Sequence, residues 1–83
     1  MKCRVILRKI DKTGDLTDED FKIMELFKGK KINYRIKAKI DKLGLYIIKE
    51  FTIEDEFLTI DDIKKIVQDV KLLGYSPIEI NFE

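Results

Sequence analysis

The chain has 83 residues, 40% of them charged and 45% hydrophobic, with a net charge of +1. That length leaves room for one hydrophobic core, so residues 1–83 are expected to form a single domain. There is no histidine and only one cysteine, which removes Ser-His and Cys-His nucleophile pairs, imidazole acid–base chemistry, and His-containing or multi-cysteine metal cages within one chain.

The apolar residues are too frequent and too regularly spaced for a disordered chain. The longest apolar run, Leu45 to Ile48, falls far short of the roughly 20 residues of a membrane span. Met1-Lys2-Cys3-Arg4 places charge at the front without a small-residue cleavage site, so no signal peptide is expected. A lone cysteine makes a reducing, cytoplasmic location the expectation.

Residues 3–10 read as a strand, with Cys3, Val5 and Leu7 alternating against Arg4, Ile6 and Arg8. The turn Asp11-Lys12-Thr13-Gly14-Asp15 follows. Thr17 is then placed to cap a helix, with Asp20 at the capping-box position and Gly29 as its stop. Residues 31–40 alternate strictly, Ile32, Tyr34, Ile36, Ala38 and Ile40 against Lys31, Asn33, Arg35, Lys37 and Lys39. Asp41-Lys42-Leu43-Gly44 is short enough for a hairpin turn into a strand over 45–53. That strand is apolar on both faces and suits a central position. Thr59 and Asp62 repeat the helix-start signal before an amphipathic run from Ile60 to Leu73. Gly74 and Pro77 end it, and Ile78, Ile80 and Phe82 alternate in a last strand.

The order strand-helix-strand, strand-helix-strand predicts an α+β ferredoxin-like βαββαβ plait. Right-handed crossovers would place both helices on one face of an antiparallel sheet of order 4-1-3-2. The competing topology keeps the 31–53 hairpin and exchanges the outer strands between two chains. This fold hosts many unrelated functions and so implies none.

Function must therefore come from surfaces. Residues 1–42 hold 13 Lys/Arg and 7 Asp/Glu, a net of +6, while residues 43–83 hold 4 and 9, a net of −5. The helix-free sheet face is expected to expose Ile6, Tyr46 and Ile48, a patch for contact with another protein or the chain's own copy. Arg4, Arg8, Arg35, Lys37 and Lys39 with Tyr46 form the alternative, a stripe for single-stranded RNA or DNA. RNA-recognition domains use this face of this fold with aromatics in both central strands, and the first strand here has none. The same lysines also serve simply to protect an edge strand.

Other features suggest less. Asp11, Thr13, Asp15, Thr17 and Glu19 fall at alternate positions, but Leu16 and Lys22 stand where a calcium loop needs Gly and Glu. Cys3 has no base to activate it. Lys28, Lys30 and Lys31 around Gly29 complement a helix C-terminus. Lys49 falls on the core-facing parity between Ile47 and Phe51, which calls for a bulge, a snorkelling stem paired with Glu50, or a buried reactive amine. No catalytic constellation, metal site or cofactor is expected, nor any membrane partner, and the chain reads as a non-enzymatic binding module.

Overall fold

The computed structural model describes residues 2–83. In chain order the elements are β1 (Cys3–Asp11), α1 (Asp18–Leu26), β2 (Lys31–Asp41), β3 (Gly44–Asp55), α2 (Ile60–Leu72) and β4 (Ser76–Phe82). The four strands form one antiparallel sheet in the order β2-β3-β1-β4. This is the ferredoxin-like α+β plait, with the basic strand β2 at one edge and β4 at the other.

Strand parity decides which side is buried. Cys3, Val5 and Leu7 of β1 and Phe51 and Ile53 of β3 point towards the helices and join one core with Ile23, Phe27, Ile63, Val70 and Tyr75. Both helices therefore lie on the same face. Each begins with the capping box that its sequence foretells. The Thr17 hydroxyl accepts the Asp20 amide and the Asp20 carboxylate accepts the Thr17 amide, and Thr59 and Asp62 do the same for α2.

The end of α2 matters for the interior. The Tyr75 amide donates to the Val70 carbonyl (3.0 Å) and the Gly74 amide to that of Lys71 (3.1 Å), a pairing that needs the positive φ of Gly74, +83°. This reversal turns Tyr75 inwards. Its ring lies 5.4 Å from that of Phe51, which lies 4.7 Å from that of Tyr34.

The Tyr34 hydroxyl is buried with no hydrogen-bond partner among the described residues. Tyr34→Phe removes an unsatisfied donor and keeps the ring. The expected result is unchanged stability or a gain of about 1 kcal/mol, read from the urea midpoint. A loss of that size would show that the hydroxyl is satisfied in solution.

A buried polar cluster and candidate interaction surfaces

Lys49 neither bulges outward nor snorkels. It is fully buried, and its partner is not Glu50. The ammonium donates to the Asp15 carbonyl (2.6 Å) and to Asp20 Oδ2 (2.8 Å), and pairs with Asp11 Oδ2 (3.1 Å). Asp20, also fully buried, accepts in addition the Tyr75 hydroxyl on Oδ1 (2.6 Å) and the Thr17 amide on Oδ2 (3.0 Å). Across the sheet Lys49 faces Lys9, whose ammonium sits over the Tyr75 ring at 5.8 Å. Two lysines side by side on the core-facing parity are tolerable because two carboxylates meet Lys49 and Lys9 is only half-buried.

These contacts fix the protonation states. Burial works to raise the Asp20 pKa, but the hydrogen bonds from Lys49, Tyr75 and Thr17 outweigh it and hold it below the ordinary aspartate value. Burial works to lower the Lys49 pKa, and bonds to Asp20 and Asp11 outweigh that, leaving it raised. A nucleophilic lysine needs the opposite shift. Lys49 is a structural cation that ties β3 to the loop before α1.

The pH dependence follows. Asp20 and Asp11 have depressed pKa values, the latter chiefly through Lys49. Their contribution is complete above the unfolded value of about 4 and is lost as pH falls through the folded values. Lys49 is raised, and so is Tyr75, by burial and then by its bond to Asp20. Their contribution is complete below about pH 10 and is lost as pH rises through the folded values. With no histidine, urea midpoints should form a plateau from roughly pH 5 to 9 and fall on both sides. A steep change between about pH 6 and 8 would contradict this assignment.

The helix-free face is a grid of rows running from β2 to β4. The strand registers give Lys31–Glu54–Arg4–Asn81, then Asn33–Thr52–Ile6–Glu79, then Arg35–Glu50–Arg8–Ser76, then Lys37–Ile48–Ile10, and last Lys39–Tyr46. Ile6 is thus separated from Ile48 by a charged row, about 13 Å along the strands. Ile48 and Tyr46 do share a patch, and Ile10, on the same parity as Ile6, completes it.

The basic set also divides. Arg8 donates to Glu50 Oε2 through Nε (3.3 Å) and Nη2 (3.0 Å), and Glu50 is itself buried. Glu54 collects Lys2 at 3.1 Å, Lys31 at 3.7 Å and Arg4 at 3.9 Å. Arg35, Lys37 and Lys39 form no ion pair among the described residues; Lys39 stands opposite Tyr46 and Lys37 opposite Ile48, whereas Arg35 stands opposite Glu50. The centre of this face is therefore a compensated charge network rather than an uncharged platform. Glu50, Thr52 and Glu54 lie there by simple alternation in β3.

A second apolar surface lies elsewhere. β2 and β3 have 11 and 12 residues, whereas α1 has 9. At about 3.3 Å per strand residue and 1.5 Å per helix residue, the hairpin outruns the helix more than twofold. Its distal half projects past the helix layer, in a molecule of 41 × 24 × 20 Å. On its helix-side parity Ala38, Ile40 and Leu45 are exposed, Ile40 at 82% and the tip residue Leu43 at 97%, while Ile36 lies against the Gly14 turn and Ile47 is half-buried. The turn that closes the arm is built by Asp41, whose Oδ1 accepts the Leu43 amide (2.8 Å), and by Gly44 at φ +120°.

Cys3 is buried and its thiol pKa is raised, by burial first and then by Asp55. The 54–58 loop borders two clefts open to solvent, where Asp55 is held by Lys30 at 3.0 Å. No group of three or more His, Cys, Asp or Glu side chains able to hold a metal occurs among the described residues. Nor is any helix among them long and apolar enough to cross a membrane. Comparison of the chain with protein-family models, curated sequences and solved structures finds no match.

Proposed function

We propose that the chain is a non-enzymatic protein-interaction module of the cytoplasm whose principal contact surface is the projecting β2–β3 arm. The observation that carries this reading is the exposed apolar row on the arm, from Ala38 through Ile40 to Leu45. A domain of this size seldom leaves such a row in water without a partner. The cations on the opposite face of the arm, Arg35, Lys37 and Lys39, together with Lys42 at its turn, suit a protein whose own apolar patch is rimmed by carboxylates.

A photo-crosslinking residue at Ala38 tests this in cells. Discrete cross-linked proteins are expected, and they should disappear when the exposed Ile40 and Leu45 are both changed to Glu. No cross-link, or one indifferent to those changes and to salt, overturns the reading.

One observation favours a second reading. Lys37 and Lys39 form no ion pair among the described residues and lie beside Tyr46, as a single-stranded nucleic acid would require. Arg4 and Arg8 are already engaged by Glu54 and Glu50, which weakens it. Fluorescence anisotropy with single-stranded RNA and DNA at low salt decides the matter. Saturable binding that falls steeply with salt and is lost in Arg35→Glu/Lys37→Glu would favour nucleic acid over protein.

A further inference from the structure

We propose that two copies of the chain pair edge to edge through β4, forming a two-fold symmetric eight-stranded sheet. This inference is independent of the partner taken by the arm. The Lys2 and Glu83 backbones exchange both of their hydrogen bonds, at 3.2 and 2.7 Å. Antiparallel pairs alternate, so Asn81 and Glu79 also turn their backbone groups inward to β1. The N–H and C=O groups of Ile80 and Phe82 consequently point out of the sheet edge. Their side chains lie on the helix side, opposite Val5 and Cys3 of β1, and are only partly covered, at 36% and 39% exposure.

The strand is complementary to itself. Centred on Ile80, an antiparallel pairing sets Ile80 against its copy on the helix side, with Phe82 of each chain next along the same row and Ile78 left at the bulge. On the other side Glu79 faces Asn81 of the second copy, and no like charges stand directly opposite. Arg4 pairs with Asn81 in the register, so it lies two strand spacings, about 10 Å, from the second copy's Glu79. The two Glu79 carboxylates lie diagonally across the axis rather than directly opposite, so each faces an uncharged Asn81.

The opposite edge forbids the same arrangement. Two β2 strands centred on Ala38 would set Lys37 of each against Lys39 of the other, like charges directly opposed. β4 carries no lysine or arginine. Its bulge and Pro77 lie at the start of the strand and leave residues 79–82 regular.

Residue 80 sits on the proposed axis, and that gives a decisive experiment. Size-exclusion chromatography with light scattering at high micromolar concentration should give twice the chain mass of 9.8 kDa. Ile80→Lys and Ile80→Glu should each fall to one chain mass, since each opposes its own charge. An equimolar mixture of the two should return to the doubled mass, which also shows that both variants fold. A monomeric wild type, or a mixture that stays monomeric, overturns the pairing. So does a mass that climbs past two chains with concentration, the mark of β2 adding to β4 in open chains. If Ile40→Glu/Leu45→Glu dissolves the dimer and the residue-80 variants do not, the copies meet through the arm, and this inference fails while the arm reading stands.

Discussion

Lys49→Met should lower the stability of the chain by about 3–5 kcal/mol, the cost of leaving a buried charge without its counterion. Methionine retains most of the unbranched stem, so little apolar packing is lost. What is lost is the cation between Asp20 and Asp11 and the donor to the Asp15 carbonyl. Asp20, fully buried, would keep only Tyr75 and the Thr17 amide. Urea denaturation reads the change as a lower midpoint, together with a weaker alkaline limb in the pH profile. A loss below about 1 kcal/mol would place Lys49 at the surface in solution. The double variant Lys49→Met/Asp20→Leu should lose less than the two single losses combined, because a missing pair leaves no orphaned charge.

The sheet was legible because its strands obey one rule each. Strict alternation over residues 31–40 marks an edge strand, and the doubled apolar pattern of 45–53 marks a central one. The helices announce themselves through the two Thr-x-x-Asp starts and the glycines behind them. Lys49 is visible in the sequence as an exception to the β3 parity, but proximity alone points to the adjacent Glu50 as its partner. Neighbours in a strand point to opposite faces, so the counterion had to come from across the core.

The signal for that counterion was present. Asp20, Ile23 and Phe27 stand at i, i+3 and i+7, on a single stripe of α1, and all three are buried. An aspartate in line with the core residues of its helix needs a buried partner. The projecting arm was equally accessible, from strand and helix lengths alone. The compensation of Arg8 by Glu50 was harder to foresee, because it depends on the register of β1 against β3, and alternation fixes faces but not which residues stand opposite.

The two capping aspartates provide the sharpest comparison, since identical sequence signals lead to different roles. Asp62 satisfies the Thr59 amide at 3.0 Å and is otherwise exposed. Asp20 satisfies the Thr17 amide at the same distance and also holds Lys49 and Tyr75 in the interior. Asp20→Ala should therefore cost at least about 3 kcal/mol, and Asp62→Ala only a small fraction of that, by urea denaturation of each variant. The pH profile separates the two further. Asp20→Ala removes a carboxylate whose folded pKa is depressed, so stability should fall off less steeply in acid. It should also weaken the alkaline limb, because Lys49 and Tyr75 both lose the acceptor that raises them. Equal losses in the two variants would mean that both aspartates act only as caps. A loss confined to Asp20 and felt at both ends of the pH range identifies it as the residue that joins α1, β3 and the end of α2.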